Sequence, residues 1–139
     1  MRIQALSAVS ASLLALLSIG APAPAMAGDV SNAQLECIVD TIAYDYPGVG
    51  ECASVWYPWY GSNTATAYFS VIGMPAGSYT YYWTDMNTGK VGVCPTTAAT
   101  CTRSIFRGGM KTMRVTVIDN ATGASKTVFA TAEYIDGYN

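Results

Sequence analysis

The chain has 139 residues, seven basic and nine acidic side chains, a net charge of −2 and no histidine. Without histidine, Ser-His-Asp and Cys-His catalysis and imidazole metal ligation are excluded. The mildly acidic balance is the wrong sign for a nucleic-acid face.

Residues 1–27 read as a secretory signal. Arg2 supplies positive charge, residues 6–19 a short apolar stretch, and Gly20, Pro22 and Pro24 end it before the small-x-small site Ala25-Met26-Ala27. The stretch is shorter than the roughly 20 residues that a membrane span needs. The expectation is therefore a cleaved signal and a single mature domain over 28–139, secreted or periplasmic, with no membrane span of its own.

Four cysteines follow, Cys37, Cys52, Cys94 and Cys101. An export signal makes disulfides the expected state, and four cysteines allow three connectivities. The pairs Cys37–Cys52 and Cys94–Cys101 are favoured, because each closes a short loop around turn residues: Pro47-Gly48 in the first, Pro95 in the second. The rival is one long-range bridge between sheets, as in antibody domains. Zinc is not expected, since no pair has C-x-x-C spacing. No metal and no cofactor is expected.

Beyond the signal, helical periodicity is nearly absent. Threonine, valine, tyrosine and alanine dominate, and turn residues recur at short intervals, a pattern of short strands. Strands are expected over 35–44, 52–56, 65–72, 78–84, 91–94, 101–106, 111–118 and 125–135. Tyr79, Tyr81 and Trp83 share one face of their strand, as do Met113, Val115 and Val117 of theirs. Gly73-Met74-Pro75-Ala76-Gly77, Asp85-Met86-Asn87-Thr88-Gly89, Gly108-Gly109 and Asp119-Asn120-Ala121-Thr122-Gly123 mark the turns. The fold class is all-β, a sandwich of seven to eight strands.

Over residues 65–135 the order resembles a bacterial immunoglobulin-like domain of the PKD type. The Trp-bearing strand Tyr81-Tyr82-Trp83-Thr84 is followed by short strands, a Gly, the strand Val115-Thr116-Val117-Ile118-Asp119 leading to Gly123, and a closing strand. The turn after Trp83 departs from the acidic-glycine turn of PKD modules. The resemblance implies a Trp packed between two sheets and a role as spacer, adhesion unit or binding module; fold alone does not choose among these.

Candidate chemistry is sparse. Asp40, Asp45, Glu51 and Asp85 are the carboxylates available for glycoside-type catalysis, but their spacing marks no pair, and no enzyme is expected. Asp85 with Asn87, and Asp119 with Asn120, read as turn chemistry rather than calcium ligands. Arg103, Arg107, Lys111 and Arg114 read as a solvated strand-turn-strand edge. Asn120-Ala121-Thr122 fits a glycosylation acceptor.

The segment Trp56-Tyr57-Pro58-Trp59-Tyr60 stands out. Alternation sends Trp56 to one side and Tyr57 and Trp59 to the other, more aromatic surface than so small a domain can bury on both faces. Exposed tryptophan and tyrosine are rigid contact surfaces and suit stacking on sugar rings. The expected contact is Trp56, Tyr57, Trp59 and Tyr60, on a non-catalytic binding or adhesion module whose partner is a protein or glycan at a surface. A structural subunit of an extracellular assembly and a disulfide-stabilised inhibitor or toxin are the alternatives.

Overall fold

A computed structural model describes residues 28–41, 45–56 and 61–137. The signal segment, and with it the cleavage site, lies outside the described residues. These form nine strands and no helix: β1 (Gln34–Asp40), β2 (Gly48–Val49), β3 (Glu51–Trp56), β4 (Thr64–Ile72), β5 (Tyr79–Asp85), β6 (Lys90–Val91), β7 (Thr100–Phe106), β8 (Gly109–Asp119) and β9 (Ser125–Asp136). Two sheets result, ordered β2-β1-β4-β7 and β3-β9-β8-β5-β6. All pairings are antiparallel except β3 with β9, which is parallel.

The two-residue alternation of the sequence sets the core. Leu35, Cys37 and Val39 of β1, and Ala65, Ala67 and Phe69 of β4, meet Tyr81 and Trp83 of β5, Met113, Val115 and Val117 of β8, and Ala130, Ala132 and Tyr134 of β9. Trp83 is fully buried, and its indole Nε1–H donates to the Ala98 carbonyl at 3.0 Å.

Two expected elements differ, and an additional short strand makes nine where seven or eight were expected. The strand expected over 35–44 is seen from Gln34 to Asp40, with 42–44 outside the described residues. The strand expected over 91–94 is reduced to Lys90–Val91. Gly92 and Pro95 bend the chain there, yet it still hydrogen-bonds the β5 edge, Gly92 N–H to Trp83 O and Tyr81 N–H to Thr96 O, both 2.8 Å. The Pro47-Gly48 turn contributes a strand that was not expected, β2.

β2 and β3 are one run of chain that changes sheets at Gly50. The Gly50 N–H bonds Leu35 O of one sheet at 2.9 Å, and its carbonyl accepts from Thr131 N–H of the other at 2.9 Å. Gly50 has φ of +80°, a conformation that costs glycine little and other residues much.

Both expected disulfides form, Cys37–Cys52 and Cys94–Cys101. The first is local in sequence, as favoured, and also joins the two sheets, β1 to β3; the long-range pairing is not found. The second anchors the 92–99 segment, which covers the β5 edge, to β7. One staple sits on each open side of the sandwich. Paired cysteines accord with an oxidising compartment. Among the described residues no helix is long and apolar enough to cross a membrane.

Candidate functional site

The aromatic segment begins at Trp56, the last residue of β3. Cys52, Ser54 and Trp56 point inward along this strand. Trp56 is only 7 % exposed, and the Arg107 guanidinium, from the β7–β8 turn, lies 4.3 Å from its ring centroid. Such cation–π contacts contribute about 0.5–2 kcal/mol. Trp56 is therefore an anchor in the core, not an exposed contact surface, and Arg107, itself exposed, lies across its ring. Tyr57, Trp59 and Tyr60 lie outside the described residues.

Both feet of the segment are fixed. On the entry side, the Ser54 hydroxyl is 2.8 Å from Thr41 Oγ1 and donates to Asp45 at 3.2 Å, while Asp45 also accepts from Thr41 N–H and Oγ1–H at 2.8 Å each. On the exit side, Tyr134 donates its phenolic proton to Ser62 O at 2.8 Å, and Arg107 N–H to Asn63 O at 2.9 Å. Burial pushes the Tyr134 phenol up, and the nearby Arg107 charge pulls the other way; the net is upward. At neutral pH the group stays protonated and keeps donating.

Beside the feet lies a cavity of about 260 Å³ lined by Asp40, Thr41, Ser62, Thr64 and Tyr134 among others. It offers a carboxylate and several hydroxyls, the groups that pair with polyols. The sequence did not single out this cluster. The Gly61-Ser62-Asn63 run after the aromatics was the available signal for the exit foot. Nothing in the sequence couples Arg107 to Trp56.

The four candidate carboxylates have different surroundings, and Asp40 lines the polar cavity. Asp45 is committed to Thr41 and Ser54, Glu51 lines another groove, and Asp85 is buried in an ion cluster. Asp85 and Asp119 are both fully buried, not exposed turn acids. They open two copies of an Asp-x-x-Thr-Gly turn. In each, the Gly N–H bonds back to the Asp carbonyl at 2.8 Å, and the Asp carboxylate accepts from turn N–H groups, Asp85 from those of Asn87 and Thr88 and Asp119 from that of Ala121.

Asp85 also takes Lys111 Nζ at 3.1 Å and an Arg103 nitrogen at 3.5 Å, tying β7 to the opposite sheet. Arg103 and Lys111 thus leave the solvated edge that the sequence suggested. Burial raises the Asp85 pKa, but the hydrogen bond and charge of Lys111 and the two turn N–H groups outweigh it, and the net shift is downward. A carboxyl depressed in the folded state stabilises above its unfolded pKa, about 3.9. That contribution fades as pH falls through the folded value. Asp85→Ala is expected to cost about 2–4 kcal/mol at pH 7, because it strands two N–H groups and two cations. Thermal melts between pH 7 and pH 2.5 check this: wild type loses stability on acidification, and the gap to the variant narrows.

No protein-family model, curated protein or solved structure matches the chain.

Proposed function

We propose that this chain is an exported, non-catalytic, immunoglobulin-like binding module. Its contact is the loop that carries Tyr57, Trp59 and Tyr60, and its partner is a glycan or protein at a surface. The observation that carries this reading is the anchoring of both feet of the loop: Trp56 under Arg107 on one side, Ser62 and Asn63 on the other. A loop whose ends are fixed loses less entropy on binding. The polar cavity beside it fits sugar hydroxyls and favours a glycan over a protein.

The immunoglobulin-like reading rests on strand grouping. In this reading β1, β4 and β7 would take the places of strands A, B and E, and β9, β8 and β5 those of G, F and C, with Trp83 where that fold carries its core Trp. The position of the inter-sheet disulfide departs from it, joining β1 to β3 instead of B to F. Export rests on the signal segment and the two disulfides. The absence of histidine from the chain supports a non-catalytic role.

Polysaccharide pulldown and glycan arrays test the contact. Wild type is expected to retain a glycan, and Trp59→Ala to lose most of that retention while melting at the wild-type temperature. No glycan or surface-protein ligand for wild type, or equal retention by the variant, contradicts the reading.

A second reading, a subunit of an assembly, draws on the free edge of β7. Ala99 and Arg107 bond toward β4, so by alternation Thr100, Thr102, Ser104 and Phe106 turn their backbone groups outward. A monomer at millimolar concentration in size-exclusion chromatography contradicts that reading.

A further inference from the structure

The outer face of the five-stranded sheet carries a feature that the loop does not use. Tyr82 of β5, Arg114 of β8 and Phe129 of β9 all point away from the core, by alternation with their buried neighbours. The register sets Thr84, Arg114 and Phe129 in one row across the sheet, and Tyr82, Thr116 and Thr127 in the next. Tyr82 and Phe129 are 53 % and 51 % exposed. Strand spacing and residue rise place these two rings about 12 Å apart, with Arg114 between them.

Arg114 donates to the Thr84 hydroxyl at 3.3 Å, and among the described residues its guanidinium has no carboxylate within ion-pair distance. Around it the hydroxyls are held in cross-strand pairs, Thr116 with Thr127 at 2.8 Å and Thr112 with Thr131 at 2.9 Å. The acids of this face, Glu51 and Glu133, sit at its far end, in or beyond the row of Thr131, where they line a separate groove of about 410 Å³. The lattice spacing puts them about 12 Å or more from Arg114. The face is divided into an aromatic, cationic half and an acidic half.

We infer that the Tyr82–Arg114–Phe129 platform binds a linear polyuronate, an acidic polysaccharide whose sugar rings lie on the two aromatic side chains and whose carboxylate pairs with Arg114. Each component asks for one part of that ligand. A guanidinium with no carboxylate partner among the described residues calls for a planar anion that it can hold bidentately. Open aromatic faces at mid-sheet call for a flat partner with weakly apolar faces. A fixed hydroxyl lattice calls for a hydroxyl-rich one. Acidic peptides lack the ring faces. The site is separate from the loop proposed above and stands without it.

Affinity electrophoresis of the oxidised domain through gels containing polygalacturonate, dextran or poly-glutamate tests the inference. Polygalacturonate is expected to retard the wild type, and dextran and poly-glutamate to leave its mobility near that in an empty gel. Arg114→Gln should weaken the interaction about tenfold or more, as loss of a charge-assisted pair implies. Arg114→Lys should retain part of it, and Tyr82→Ala and Phe129→Ala should each weaken it severalfold. Thermal melts of the same samples confirm that the variants fold. Trp59→Ala should still be retarded, which separates this site from the loop. Absence of retardation by polygalacturonate, equal retardation of Arg114→Gln, or equal retardation by poly-glutamate, the mark of a charge-only or acidic-protein site, would overturn it.

Discussion

Trp83→Ala is expected to destabilise the domain by about 3–5 kcal/mol, the range for deleting a buried large aromatic. Domains of this size have about 5–15 kcal/mol in total, so the variant sits near the folding threshold. Two effects add. The cavity lies at the centre of the sandwich, between β5 and the sheet opposite, where Phe69 and Val115 also pack. The Ala98 carbonyl also loses its indole donor, and with it one tie that holds the 92–99 segment over the β5 edge. Trp83→Phe separates the two: it keeps most of the volume and is expected to cost less than half as much. Urea melts of the three proteins give the comparison, and equal midpoints for wild type and Trp83→Ala would contradict this account of the core.

Removing Cys37–Cys52 is expected to cost more than removing Cys94–Cys101. The sequence separations of 15 and 7 correspond to roughly 3 and 2 kcal/mol of unfolded-state entropy. Placement widens the gap. Cys37 and Cys52 are both buried and join the sheets next to Gly50, where the chain crosses between them. Cys94 is only half-buried and fixes a surface segment. The double variant Cys37→Ala/Cys52→Ala is expected to melt at a lower temperature than Cys94→Ala/Cys101→Ala, by about 4 °C or more per kcal/mol of difference. In mild reductant, alkylation should mark Cys94 and Cys101 before the other pair. A reversed order in either experiment contradicts the roles assigned to the two bonds.

Most of the architecture was legible because period-two alternation reports which face is buried. Met113, Val115 and Val117 on β8, and Tyr81 and Trp83 on β5, sit where that rule puts them. Both disulfides were legible because short loops around turn residues favour local closure. Their geometry was not, since a local loop and an inter-sheet bridge coincide only because the chain changes sheets at Gly50. The register of β3 against β9 is a long-range parallel pairing that no local pattern encodes. The charges misled for a related reason. Asp85 sits in a turn sequence that usually lies exposed, yet Lys111 and Arg103 converge on it from two strands distant in sequence. At the candidate site, alternation separates Trp56 from Tyr57 and Trp59 but does not say which side is buried, so Trp56 was read as a contact; only the fold turns it inward and supplies Arg107 over its ring and Tyr134 as the prop for Ser62.

The proposed contact, residues 57–60, adjoins Trp56, which is held inside. Tryptophan fluorescence tests it directly, because the chain has three tryptophans and two of them, Trp56 and Trp83, are 7 % and 0 % exposed. Acrylamide quenching of wild type is compared with that of Trp59→Phe. Most of the quenchable emission is expected to disappear with Trp59, leaving a blue-shifted, weakly quenched spectrum from the two buried rings. Quenching and emission maximum unchanged by Trp59→Phe would mean that the loop is packed against the sandwich, and would contradict the account.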